Sequence, residues 1–138
     1  MDSDKSIVLR VFNKLFFELI DDIISVYPDN VEILTAKDAF LSFKKLNPTC
    51  IIKVWYSCIY SKYKPQIDVG DIEFFMYKDY SNDLTEVSNM RNILDMIDNV
   101  RDPIRNMTEQ NKLHVKKYIQ DLSKLSSTYY EITAIQCP

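Results

Sequence analysis

Among the apolar residues of the first 27 positions, those at 8, 12, 15, 16, 19, 20, 23, 26 and 27 form one helical stripe. That three–four spacing predicts an amphipathic helix from Lys5 to Tyr27. Lys14, Glu18, Asp21 and Asp22 occupy the opposite side, and Ser3 or Asp4 suits the N-cap. Pro28 ends the element, because proline disfavours helical geometry at the residue before it and donates no hydrogen bond. A second helix within residues 30–46 carries its stripe on Ala36, Ala39, Phe40, Phe43 and Leu46, with Thr35 and Asp38 spaced as a capping box. Asn47-Pro48 then reads as an N-cap and first helical residue of a third helix reaching about Tyr60. Ile51, Val54, Trp55, Cys58 and Ile59 form its stripe, and Ile52, Tyr56 and Tyr60 widen it to most of the circumference, which predicts a central position.

Residues 62–70 read as a loop punctuated by Pro65 and Gly70, the single glycine. Asp71 is placed to cap a short helix holding Ile72, Phe74, Phe75, Met76 and Tyr77. Asp83-x-x-Glu86 starts another, running to about Val100 on Val87, Met90, Ile93, Leu94 and Ile97. Arg101-Asp102-Pro103 reads as a break. Thr108 caps a last helix to about Tyr129, with Val115, Tyr118, Ile119, Leu122, Leu125 and Tyr129 as its stripe. Ile132, Thr133 and Ile135 suit extended structure, so residues 131–138 are expected to form a short extended tail. The expectation is one all-α domain over residues 1–138, a compact bundle of five to six helices.

Composition narrows the chemistry. One glycine in 138 residues leaves no phosphate-cradling loop, dinucleotide fingerprint or nucleophile elbow. The single histidine, His114, cannot build a multi-histidine metal site, and its nearest helical carboxylate, Asp121, lies two turns away. It reads as a partly exposed histidine. Asp21-Asp22, and Asp95 with Asp98, read as solvated carboxylates rather than an acid–base pair or a cation site. No catalytic residue, metal ligand or cofactor is called, and the chain is read as non-enzymatic. Cys50 and Cys58, eight residues apart on one helix, would stand about 12 Å apart, too far for a disulfide. They read as two small buried thiols, which fits a reducing compartment.

The net charge of −3 is unevenly spread: residues 65–109 carry four basic and ten acidic groups, between nearly neutral ends. A wide basic surface for duplex DNA is therefore not expected, and nucleic acid is the less favoured partner. The longest uncharged run is the eight residues from Val54 to Ser61, against roughly 20 needed to span a bilayer. The start of the chain is acidic, unlike a signal peptide, so a soluble intracellular protein is expected.

One segment stands out as a contact surface. Lys53, Trp55, Tyr56, Tyr60, Lys62, Tyr63 and Lys64 interleave aromatic rings with cations. That composition suits core packing with hydroxyls reaching water, a protein interface, or stacking on single-stranded nucleic acid. These seven residues are the partner-binding candidates. The adjacent pairs Phe16-Phe17 and Phe74-Phe75 point about 100° apart on a helix, so each pair is expected to touch two neighbours.

The order of several stripes and turns resembles a small all-helical family encoded by nucleocytoplasmic large DNA viruses of the algal-virus and mimivirus type. The resembling pieces are Phe12-x-x-Leu15-Phe16-x-x-x-Leu19 through Tyr27-Pro28-Asp29, and Lys45-Leu46-Asn47-Pro48. Further on are Tyr63-Lys64, Asp71-x-Glu73-Phe74-Phe75 with Asp79-Tyr80, and Tyr118-Ile119-x-x-Leu122-x-x-Leu125. The resemblance implies a viral protein of the virion or the host-cell cytoplasm, such as a minor capsid or core component that contacts other viral proteins. Ile, Lys, Asn, Tyr and Phe total 54 residues against 13 of Gly, Ala, Pro and Arg, which agrees with an A/T-rich genome. Two alternatives stand beside it. One is an adaptor for host signalling or death-pathway proteins, with an apolar groove for an amphipathic helix. The other is a nucleic-acid-binding protein using Lys53, Lys62, Lys64, Lys112, Lys116 and Lys117 on phosphate.

Overall fold

The computed structural model describes residues 4–71 and 88–136, which form an all-α bundle with no strand among them. The elements are α1 (Asp4–Val26), α2 (Val31–Leu46), α3 (Cys50–Val54), α4 (Ser61–Asp68), α5 (Ser88–Arg105) and α6 (Glu109–Gln136). A π-helical stretch, Trp55–Tyr60, joins α3 to α4 without a break. The expected short helix after Asp71 and the expected start at Asp83 lie outside the described residues. No helix among them is long and apolar enough to cross a membrane.

The centre of the α1 stripe is buried as its spacing dictates, with Phe12, Phe16, Leu19, Ile20 and Ile23 facing the core, while Val8, Leu15 and Tyr27 are half-buried and Val26 is exposed. α1 packs lengthwise on α6, and α2 packs on both α1 and α5. α2 starts one turn earlier than the Thr35–Asp38 pair suggests. Asn30 is its N-cap, and its Oδ1 accepts the Ile33 N–H at 3.1 Å. Asn47 closes α2 rather than opening α3, donating its own N–H to the Phe43 carbonyl at 2.9 Å. Its Oδ1 then accepts from the Thr49 N–H at 3.0 Å and the Thr49 hydroxyl at 2.7 Å, so the turn is locally satisfied and α3 begins at Cys50.

Three further boundaries differ from the sequence reading, each because packing overrides a local signal. First, the third helical run passes Tyr60 and continues through Pro65 to Asp68. An interior proline costs about 3 kcal/mol, offset here by anchors on both sides. Ile67 is buried, the Tyr60 hydroxyl donates to Asp68 Oδ1 at 3.0 Å, and Gln120 of α6 donates to the Ile67 carbonyl at 3.1 Å. Second, α5 continues through Pro103. Ile93, Ile97, Val100 and Ile104 keep spacings of four, three and four and all are buried, and Met107 just past the helix end is buried with them. Third, α6 runs to Gln136, so residues 131–136 are helical rather than an extended tail. Tyr129 is buried and Tyr130 stacks on another helix, which outweighs the strand preference of the β-branched residues that follow. The Thr108 cap is as expected: its Oγ1 accepts the Asn111 N–H at 3.2 Å.

Gly70 ends α4 in a Schellman turn. The Asp71 N–H reaches the Gln66 carbonyl at 2.8 Å and the Gly70 N–H reaches the Ile67 carbonyl at 3.0 Å. Gly70 has φ +78°, the left-handed conformation the motif requires. A Cβ there would also collide with Lys116 Cε and press on Gln120 Nε2 of α6. Left-handed geometry costs a residue with a Cβ about 1–2 kcal/mol. Gly70→Val is therefore expected to lower the melting temperature by roughly 3–8 °C. An unchanged value in a calorimetric scan would show that this turn does not hold α4 against α6.

The core closes around Trp55. Phe12 and Phe16 meet its ring edge-on at centroid distances of 6.2 and 6.4 Å, and Phe40 meets Phe16 at 4.8 Å. The indole Nε1–H donates to Ser123 Oγ at 2.9 Å in a fully buried setting. Leaving that donor unsatisfied costs about 1–3 kcal/mol, so Ser123→Ala is expected to destabilise by that amount. In a double-mutant cycle with Trp55→Phe the two losses should be clearly less than additive. Additive losses would show that the bond contributes nothing.

A tyrosine ladder as the candidate interaction surface

The seven candidate residues do not share one surface. Trp55 is 3% exposed and belongs to the core. Tyr60 is buried too, while Lys53 and Lys64 are exposed and Tyr56 is half-buried. Lys62 and Tyr63 lie in α4, and their side chains lie outside the described residues. The π-helical stretch explains the split. Its hydrogen bonds run from residue i to i+5, bringing residues five apart towards one face. Trp55 and Tyr60 are such a pair, and both turn inward.

What the fold assembles from this segment is a ladder of four tyrosines. Tyr60 meets Tyr56 edge-on at 6.5 Å, Tyr56 lies against Tyr130 at 4.2 Å, and Tyr130 meets Tyr129 at 5.6 Å. A cation stands at each end. Lys64 Nζ lies 6.0 Å from the Tyr60 ring centre and Lys5 Nζ 5.1 Å from that of Tyr129. The half-buried rungs, Tyr56 and Tyr130, form the accessible middle. Burial pushes the Tyr130 phenol up, opposed by a hydrogen bond with Ser57. The interleaving of aromatic rings with lysines singles out Tyr56 and Tyr60 in the sequence. Sequence reasoning placed Tyr129 in the core and missed Tyr130 and Lys5, which only the docking of α6 and α1 brings near.

The other residues weighed for chemistry sit elsewhere. His114 is exposed on a cleft of about 210 Å³ between α1 and α6, beside Asp22 and Tyr118. Tyr118 donates to Asp22 Oδ2 at 2.6 Å, and Asp21 pairs with Lys37 at 2.7 Å. Asp98 pairs with Arg101 at 2.5 Å, so three of the four carboxylates read as solvated hold a partner within the bundle. Cys50 is half-buried, and its thiol donates to the Phe43 carbonyl at 3.4 Å. Burial raises its pKa, which keeps it a thiol. Among the described residues no three His, Cys, Asp or Glu side chains are grouped for a metal ion.

Two phenols carry a testable signature. Tyr118 is pushed up to about 12, first by its bond to Asp22 and then by burial and the charges of Asp22 and Glu18. Tyr60 is also pushed up to about 12, first by burial and then by its bond to, and the charge of, Asp68. A folded-state value above the ordinary 10.0 favours the neutral phenol in the native protein. The associated stability is therefore fully present below pH 10 and is lost as pH rises through about 12. Tyr118→Phe and Tyr60→Phe are each expected to remove one late step from the phenolate absorbance titration and to flatten the fall in melting temperature over that range. A titration in which every tyrosine ionises together near the ordinary value would contradict both bonds. No protein-family model, curated protein or solved structure matches this chain.

Proposed function

We propose that the chain is a non-enzymatic protein-interaction component of a large DNA virus, a minor capsid or other virion-associated protein. The observation that supports this reading is the tyrosine ladder. Tyrosine is enriched where proteins meet, because one rigid side chain offers both apolar area and a hydroxyl. Here the Tyr56–Tyr130 contact joins two helices, so the rings are held before any partner arrives and less side-chain entropy is lost on binding. Lys53 and Lys64 are exposed on the same helical run as Tyr56, supplying a polar rim.

The nucleic-acid alternative gains less support. Of the lysines proposed for phosphate, Lys112 lies 3.8 Å from Glu109 and Lys117 lies 3.8 Å from Asp121. Lys116 covers Gly70 at the end of α4, where a cation suits the carbonyl end of a helix. Three of the six therefore serve local structure.

Cross-linking mass spectrometry of purified particles tests the proposal. Links from Lys53 and Lys64 to other virion proteins are expected, and Tyr56→Ala should reduce incorporation of the chain by about tenfold, the size of one interface hot spot. Absence of the chain from purified particles would overturn it.

A further inference from the structure

A second surface is built from residues the ladder does not use. Between α1 and α2 runs an open groove of about 750 Å³. Leu9 and Phe17 of α1 and Leu41 of α2 form its apolar floor, and Leu41 is 44% exposed. Its rim is basic. Arg10, Lys14, Lys37 and Lys44 line it against only Glu18 and Asp21, a local charge of +2 on a chain whose net charge is −3. Asp21 is already engaged by Lys37. Lys44 lies over the Phe17 ring at 5.4 Å, which holds the cation at the edge of the apolar floor. On α1 the lining runs from Leu9 to Asp21, about 18 Å at the rise of an α-helix.

We propose that this groove takes a short amphipathic helix of a partner protein, apolar on the face that meets Leu41 and acidic along both flanks. The inference rests on the reading of the chain as an interaction component but uses different residues from the ladder. Length and chemistry both point to this occupant. About 18 Å accommodates roughly three helical turns, enough for apolar anchors at i, i+3 or i+4, and i+7. Carboxylates on the flanks would meet a lining in which cations outnumber carboxylates by two, with Lys14 and Lys44 on opposite sides. A nucleic-acid strand fits less well. Its backbone offers no apolar face to Leu9 and Leu41.

The probe is a 15-residue fluorescein-labelled peptide with leucines at helical spacing and glutamates at the remaining positions. A matched peptide has lysine in place of every glutamate. The intact chain is expected to bind the glutamate peptide at least about tenfold more tightly than the lysine peptide by fluorescence anisotropy. Leu41→Glu, at an exposed position that leaves circular dichroism and melting temperature unchanged, should weaken the glutamate peptide by about tenfold or more. The paired reversal Lys14→Glu with Lys44→Glu should exchange the preference, losing the glutamate peptide and gaining the lysine peptide. Tyr56→Ala, on the ladder, should leave both affinities unchanged, so failure of one surface is distinguishable from failure of the other. Three results overturn the proposal: no preference between the peptides, displacement of the bound peptide by an equimolar 15-nucleotide oligo-dT, or self-association of the free chain that Leu41→Glu abolishes.

Discussion

The buried indole of Trp55 is the constraint on which the bundle depends. An indole N–H removed from water must find an acceptor, or the fold carries the desolvation cost of a bare donor. Ser123 supplies that acceptor from α6. The contact requires a small residue at that position, because a larger one would hold the helices apart. Ser126, one turn on, is equally buried and returns its own hydroxyl to the Ser123 carbonyl at 2.8 Å. Two buried serines therefore let α6 approach the π-helical stretch closely without orphaning a polar atom. The faces of the same indole complete the arrangement, since Phe12 and Phe16 bring α1 to it and Phe40 brings α2 to Phe16. Four elements thus meet around one side chain.

The π-helical stretch follows from the same demand. In regular α-helix, residues five apart point about 140° away from one another. Trp55 and Tyr60 could not then both face inward. Widening the helix by one residue turns both towards the core and carries Ile67 in behind them. The end of that run is tied by α6 as well as by its own Schellman turn. Gln120 reaches the carbonyls of Ile67 and, at 3.4 Å, Asp68, while Gly70 makes room for the side chains that do so.

These links set what sequence alone could disclose. The α1 stripe, the α5 face and the Thr108 cap are periodic or local features, and each is legible because it involves neighbours on one helix. Pro65, Pro103 and the residues after Tyr129 were misread because their local preference is opposed by contacts made elsewhere. The loss of one hydrogen bond at Pro103 is visible in sequence, whereas the burial of Ile104 and Met107 that outweighs it is not, until the face of α5 is known to continue. The same limit applied to the ladder. Tyr56 and Tyr60 share one helical run, and the lysines interleaved with them mark them in the sequence. Tyr130 lies 74 positions further along the chain, and only the register fixed by Trp55 and Ser123 brings its ring to Tyr56.

The distribution of charge separates the two candidate surfaces more sharply than the distribution of apolar area. Net charge over long blocks of sequence describes the acidic middle of the chain, but it averages residues that face different ways. Four cations on α1 and α2 converge on one groove although residues 1–64 carry nine basic and eight acidic groups in total. Tyrosines and flanking lysines assemble separately on the far end of α6. An aromatic ladder held by mutual contact favours partners with planar or apolar groups and is little affected by salt. A groove with cations on both lips selects by sign and weakens as counterions screen it. The two surfaces thus differ in the physical term that would carry a contact, burial of rings in one and opposite charge in the other.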